Sequence, residues 1–351
     1  MKIKLALLDN DTQYLNRLVT VFNDKYADKL ETYSFTGLSY ALKAVADAKI
    51  NILAADESFD IDLEELPKSC GLAYLTGDTV IETVKGKPAI CKYQKADELY
   101  RQILDVFAES ADRNYVFKAG SGNTSLILFS SPAGGTGTST LAAAAAAHYA
   151  QKGLRVLYLN YECFGGANTY FPASGKDFGD IIYALKSKKN NLPLKLESCL
   201  TQDASTGVCF YPQSKLALDM LELAAEEKLR LTEELLCSDL FDKIILDADF
   251  SLQPDFLSLA RFADKWVWCT DGSASANAKT SRAYNALQIL EQAEEGDLEQ
   301  KVLLFGNKWG VDSVLPFGDA LQMAGKVAFT AGKDAAIRVR ALAELPVFDA
   351  I

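Results

Sequence analysis

The chain has 351 residues, enough for two domains that each bury a core. With 49% hydrophobic and 24% charged residues it has an ordinary globular composition, and no uninterrupted apolar run reaches the roughly 18 residues of a membrane span. The formal net charge of −11 argues against nucleic acid or an anionic membrane as main partner, because clustered Lys and Arg are what bind phosphate backbones. The basic run at 185–189 reads as a solvated helix end rather than such a patch.

Taken from the N-terminus, residues 4–8 are an expected strand. Asp11 is placed to cap a helix whose apolar positions Leu15, Leu18, Val19 and Phe22 follow the spacing of one buried face. Further strands are expected at 51–55, ending at Asp56, at 72–75, ending at Thr76, and at 89–91, ending at Lys92. A helix over 96–107 would bury Leu99, Ile103, Leu104 and Phe107. Ligands of an open parallel sheet gather at the carboxyl ends of its strands, and Asp9, Asp56, Thr76 and Lys92 all occupy such ends. Only 20 positions separate Asp56 from Thr76 and 16 separate Thr76 from Lys92, so at least one crossover helix is expected to be short or missing. The polar stretch 109–124 reads as a linker between a domain at 1–108 and another at 125–351.

The second domain opens with an apolar strand at 125–129, then Ser130-Ser-Pro-Ala-Gly-Gly-Thr-Gly-Thr-Ser-Thr140, then an alanine-rich helix over 141–149 that Gly153 ends. Strand, glycine loop and helix are the context of a phosphate cradle. Gly134, Gly135 and Gly137 allow backbone N–H groups to converge on phosphate at a helix N-terminus. An ordinary P-loop reads G-x-x-x-x-G-K-[ST]; here Thr138 stands at the lysine position and Ser139 keeps the hydroxyl that ligates Mg²⁺. The loop is equipped to hold a nucleotide and poorly equipped to cleave it. Another core strand is expected at 207–212, and the spacing of Ile337, Val339, Leu342 and Leu345 predicts a core helix over 334–345. Seven cysteines without a C-x-x-C pair suggest neither a disulfide framework nor a zinc site, and a reducing cytoplasm is the expected location. His148, the single histidine, reads as packed or solvated. The charged N-terminus resembles no signal peptide.

Two resemblances follow. Leu8-Asp9-Asn10-Asp11, the strand ending at Asp56, Leu75-Thr76-Gly77 and Lys92 followed by the last helix resemble the active site of a response-regulator receiver domain. That resemblance implies a flavodoxin-like fold whose site maps onto Asp9, Asp56, Thr76 and Lys92. Asn10 replaces one of the paired acids, which weakens Mg²⁺ binding, so the site is expected to be degenerate.

From Ser125 onward the chain resembles the MinD/ParA class of deviant-Walker ATPases, whose K-G-G-x-G-K-[ST]-[ST] loop is matched by Ala133-Gly-Gly-Thr-Gly-Thr-Ser-Thr140 with both lysines gone. By that likeness Gly134, Gly135, Thr136, Gly137, Thr138, Ser139 and Thr140 hold the nucleotide, Asn307 contacts the base, and Ser139 and Asp247 hold Mg²⁺. Glu162, at the end of a strand whose D-x-D has become Asn160 and Glu162, and Asp247, at the end of the Walker B strand with Asp249 following, take the catalytic positions.

The expected fold class is therefore α/β in two domains, a receiver fold followed by a P-loop NTPase fold with a mostly parallel sheet. That order resembles the TadZ/CpaE family, which localises Tad-type pilus assembly machinery at a cell pole. The resemblance implies a cytoplasmic, polar homodimer that binds ATP and Mg²⁺ and meets pilus assembly or secretion proteins, with ATPase activity slow at most. Three other readings stand beside it: a working ATPase, a response regulator phosphorylated at Asp56, and a pseudo-ATPase that binds proteins only.

Overall fold

The computed structural model describes residues 2–110, 123–173, 177–187, 192–294, 296–315, 321–330 and 334–351. The chain divides into two compact units, one of Met1–Lys118 with Ser187–Cys199 and one of Ala119–Lys186 with Leu200–Ile351.

The first unit runs β1 (Ile3–Leu8), α1 (Thr12–Lys25), β2 (Leu30–Phe35), α2 (Leu38–Asp47), β3 (Ile52–Asp56), β4 (Gly71–Thr76), β5 (Thr83–Val84), β6 (Lys87–Cys91) and α3 (Ala96–Ser110). Among the described residues its strands lie in the order β2-β1-β3-β4-β6-β5, parallel except for the β5–β6 hairpin. This is the flavodoxin-like order with β6 in fifth place. Covering on both faces requires central strands that are apolar throughout, and β3 and β4 are. Asp11 caps α1 as expected, its Oδ1 accepting from the N–H of Gln13 and Tyr14 at 2.9 and 3.0 Å. Both crossovers lack an α-helix: the link from β3 to β4 holds one 3₁₀ turn, Leu63–Glu65, and the two-residue β5 is the regular element between β4 and β6.

The second half of the chain runs β7 (Ser125–Ser130), α4 (Thr138–Gln151), β8 (Val156–Asn160), α5 (Phe178–Lys186), α6 (Leu192–Cys199), β9 (Thr201–Gln202), β10 (Cys209–Phe210), α7 (Ala217–Glu222), α8 (Ala225–Leu236), β11 (Lys243–Asp247), α9 (Pro254–Ala260), β12 (Lys265–Thr270), α10 (Ala274–Glu294), α11 (Leu298–Lys301), β13 (Val302–Trp309), β14 (Met323–Ala328) and α12 (Ala335–Ala343). Its strands order as β14-β13-β12-β7-β11-β8-β10-β9, with β9–β10 the antiparallel pair, and β7 lies between β11 and β12. Helix α4 is buried from Leu141 to Tyr149 on every side. Its alanines carry no side chain beyond Cβ, which lets it pack between the sheet and α12. Gly153, at φ 87°, ends it: its N–H donates to Ala150 O and that of Leu154 to Tyr149 O, a Schellman closure. His148 is packed, bonded through its two ring nitrogens to Ala343 O and Asp349 Oδ1, each at 2.8 Å.

Two expectations are corrected. The strand expected over 207–212 has only two residues, because Gly207 turns at φ 78° and Pro212 brings no N–H to a ladder. The helix expected over 334–345 is α12, which ends at Ala343; Val339 and Leu342 are buried in it, whereas Ile337, and Leu345 beyond its end, are exposed. The expected linker lies outside the described residues over 111–122, and 109–110 belong to α3. Of the basic run, Lys188 and Lys189 also lie outside them.

Helix α6 belongs to the first unit, although the sequence places it within the span of the second. Leu194 sits in the same core as Tyr100, Leu104 and Phe107 of α3. Lys195 Nζ meets Asp105 Oδ1 at 2.6 Å, and Glu197 pairs with Lys29 while accepting from the Tyr100 hydroxyl at 3.1 Å. Leu194→Ala removes a buried side chain and is expected to cost the first unit about 2–4 kcal/mol. Hydrogen exchange across α3 would quicken in that variant; unchanged exchange would show α6 to be dispensable there.

Candidate functional site

The parallel register aligns strand ends, and both sites follow from it. In the second unit Asp247 pairs in register with Phe129 on one side and Asn160 on the other. The carboxyl ends of β7, β8 and β11 therefore meet at the loop between β7 and α4. Ser131 Oγ anchors the start of that loop to Cys269 O at 2.6 Å. Gly135 and Gly137 take φ of 78° and 86°, a region closed to most side chains, and Gly137 leads directly into α4. Thr136 is buried, and its hydroxyl lies 3.1 Å from that of Thr138, the residue at the lysine position.

Below the loop lies a carboxylate cluster. Ser139 Oγ donates to Glu162 Oε1 at 3.1 Å. Asn160 Nδ2 reaches Glu162 Oε2 at 3.1 Å and Asp247 Oδ2 at 3.0 Å, and the Tyr158 hydroxyl donates to Asp247 Oδ2 at 2.7 Å. Asp247 is 1% exposed, and its Oδ1 has no partner among the described residues. Burial, reinforced by the negative Glu162 beside it, pushes the Asp247 carboxyl up to about 8. Asp249 Oδ2 accepts from the N–H of Cys163 at 3.0 Å. A cleft of about 260 Å³ joins the loop residues Gly134, Gly135, Gly137, Thr138, Ser139 and Thr140 to Glu162, Tyr170, Asp249 and Phe250. Among the described residues no lysine or arginine lines it.

Asn307 stands apart from the cleft lining. Its Nδ2 donates to Thr136 O at 2.7 Å and its Oδ1 accepts from Lys308 N at 2.9 Å, so its amide is engaged with the loop and with its own strand end. Lys308 Nζ donates to Gly135 O at 2.7 Å. The sequence reading assigned Lys308 no role, nor Tyr158. Both contacts join residues far apart in the chain, so no local pattern announces them.

In the first unit the register sets Leu8 beside Ala55, and Thr76 beside Cys91, so Asp9, Asp56, Thr76 and Lys92 gather at one end of the sheet. Lys92 Nζ lies between the two acids, 2.6 Å from Asp9 Oδ2 and hydrogen-bonded to Asp56. Burial would raise the Asp56 carboxyl, but hydrogen bonds from Lys92 and Ser58 outweigh it and hold the group below its ordinary 3.8. Burial would likewise lower the Lys92 ammonium, and its bonds to Asp56 and Asp9 raise it instead. Thr76 is buried, its Oγ1 accepting from Asp78 N at 3.3 Å. Asn10 bonds to Ser58 Oγ at 3.3 Å.

A lowered Asp56 contributes stability that is present above 3.8 and lost as the pH falls through its folded value. Lys92→Met leaves two carboxylates facing each other and is expected to cost the first unit about 3 kcal/mol at neutral pH. That cost should shrink in acid well below 3.8, where Asp56 is no longer an anion. Denaturant unfolding at the two pH values checks both; a cost that persists in acid would assign it to packing rather than charge.

A family model described as the TadZ-like receiver domain matches residues 1–108. No curated protein matches the chain. Among solved structures the chain is similar to a ParA family ATPase from Chlorobium tepidum TLS, at 15% identity and a TM-score of 0.49 over 63% of this chain and 98% of that one. It is similar also to the cell division ATPase MinD of Pyrococcus furiosus, at 17% identity and 0.46 over 63% and 97%. A third is the septum site-determining protein MinD of Pyrococcus horikoshii OT3 complexed with Mg-ADP, at 16% and 0.47 over 63% and 95%. Residues 1–108 thus match a TadZ-like receiver domain, and after them come a glycine loop and a mostly parallel sheet.

Proposed function

We propose that the second unit binds ATP with Mg²⁺ in the lysine-free cleft, turns it over slowly or not at all, and serves a dimeric scaffold of Tad-type pilus assembly. The observation that carries this reading is the cleft itself, a glycine loop at the N-terminus of α4 lined with Ser139, Glu162 and Asp249, backed by the buried Asp247, and with no lysine or arginine in its lining among the described residues. Backbone N–H groups and the helix dipole supply positive potential for phosphate oxygens. The residues present also fit a divalent ion. Asp247 has a buried oxygen without a partner and a carboxyl that burial has raised, both of which a cation would relieve. Hydroxyl and carboxylate oxygens are the hard donors that Mg²⁺ takes. Ser139 and Asp247 would hold it, and when bound it supplies the charge neutralisation that polyphosphate requires.

Turnover is a different demand. Phosphoryl transfer depends on cations positioned on the transferred group, and losing one such group costs on the order of 10² to 10⁵ in rate. With Ala133 and Thr138 at the two lysine positions, neither of those cations is available. Thr138 instead places its hydroxyl beside that of Thr136. Glu162 is bonded to Ser139 and Asn160, a restraint that suits holding a site together more than activating water. The Tad association comes with the receiver domain. Homodimerisation, a cytoplasmic and polar location, and contact with pilus assembly or secretion proteins extend it. Among the described residues no helix is long and apolar enough to cross a membrane, in keeping with that placement.

A fluorescent ATP analogue titrated into the purified chain with Mg²⁺ should bind saturably and be displaced by unlabelled ATP. Phosphate release should fall at least about 10²-fold below that of a lysine-bearing P-loop ATPase of the same fold. Light scattering with the nucleotide should give twice the chain mass. Absence of competable binding would leave a protein-only adaptor; a monomer in every condition would remove the dimer.

A further inference from the structure

The loop lost its own lysines, yet a lysine from another strand is bonded to it. Lys308 Nζ donates to Gly135 O and Asn307 Nδ2 to Thr136 O, both at 2.7 Å. These are consecutive peptide groups of the phosphate loop, and each is held by its carbonyl. In a trans peptide the C=O and the following N–H point in opposite directions. Fixing the carbonyls of Gly135 and Thr136 therefore fixes the N–H groups of Thr136 and Gly137 on the far side. Neither Asn307 nor Lys308 lines the cleft, whereas Gly135 and Gly137 do, so the far side is the cleft side. Among the described residues these two N–H groups find no acceptor. They are donors turned toward a ligand.

The backbone of Lys308 adds an independent observation. It lies at φ 53°, in the left-handed region that glycine fills without cost, and the pairing of β13 with β14 shifts register between Gly306 and Trp309 to allow it. A side chain kept where glycine would relieve strain points to a use for that side chain. The approach of Asn307 is equally specific. A Cβ on Gly137 would fall 2.4 Å from Asn307 Nδ2, so the glycine that turns the loop into α4 also admits its second holder.

We propose that Asn307 and Lys308 are positioning residues that clamp the lysine-free loop in its phosphate-receiving form, Lys308 acting from outside the cleft in place of lysines lost within it. The proposal rests on the nucleotide reading of the cleft, and it gives Asn307 a loop-holding role in place of the expected base contact. It also explains why a loop with neither lysine keeps its glycine geometry: the order that a lysine–phosphate contact would impose on binding is present beforehand.

Three variants test it. Lys308→Met removes the ammonium, Lys308→Arg keeps a donor, and Lys308→Gly removes the ammonium while relieving the backbone, so its thermal midpoint should equal or exceed the wild type's. Two readouts are needed, amide order parameters for Thr136 and Gly137 without nucleotide, and the affinity of a fluorescent ATP analogue with Mg²⁺. The expected result is order parameters falling from the rigid range near ~0.85 toward ~0.6 in the Met and Gly variants. Affinity should fall roughly tenfold in both, as for loss of a charged hydrogen bond, with Arg recovering most of it. Wild-type order and affinity in both variants would overturn the clamp, and so would a loosened loop with unchanged affinity. If the wild type binds no analogue, the nucleotide reading fails by itself and the order parameters alone decide whether the clamp exists.

Discussion

Charge balance at the end of a parallel sheet is the constraint on which both units depend. Each gathers carboxylates at the carboxyl ends of its central strands, and carboxylates taken out of water need a cation, a proton or a hydrogen-bond donor. The two units resolve this differently. In the first, Lys92 lies between Asp9 and Asp56 and bridges the two. In the second, Asp247 is bonded to Tyr158 and Asn160, keeps one oxygen without a hydrogen-bond partner among the described residues, and is raised toward the proton-bound form. The first site is closed by the chain's own ammonium; the second asks for a cation from outside.

That contrast orders the functional reading. A receiver site bridged internally by Lys92 is suited to a structural role. The cleft of the second unit has donors for phosphate in the loop backbone and hard oxygens for a metal, but among the described residues no side-chain cation in its lining. Binding and turnover separate on this basis, since binding needs compensation of the ground-state charge and turnover needs extra compensation in the transition state. A protein so built is fitted to use nucleotide as a constituent of a stable assembly.

Much of this was legible in the sequence, for a physical reason. Strands buried on both faces read as apolar runs, and the first polar residue after each run marks a strand end, which is how Asp9, Asp56, Thr76 and Lys92 were located, whereas Asp247 and Asn307 came from the resemblance. The glycines of the loop and the cap at Asp11 are likewise local signals. What escaped notice is long-range. Lys308 lies 173 residues from Gly135, and Tyr158 lies 89 residues from the carboxylate it supports. Helix α6 has an apolar pattern that any core would satisfy, so its place beside α3 cannot be read from it. Strand β2, at the edge of its sheet, buries only Leu30 fully and is largely polar, so no apolar run announced it.

The measurement closest to the central claim is equilibrium binding of unlabelled ATP to the purified chain, once with Mg²⁺ and once with the divalent ion chelated. The account predicts saturable binding with Mg²⁺ and no detectable saturation in chelator, because polyphosphate would then face Glu162 and Asp249 with no cation between them. Equal affinity in the two conditions would contradict it, showing that the cleft compensates phosphate charge by means other than a metal on Ser139 and Asp247.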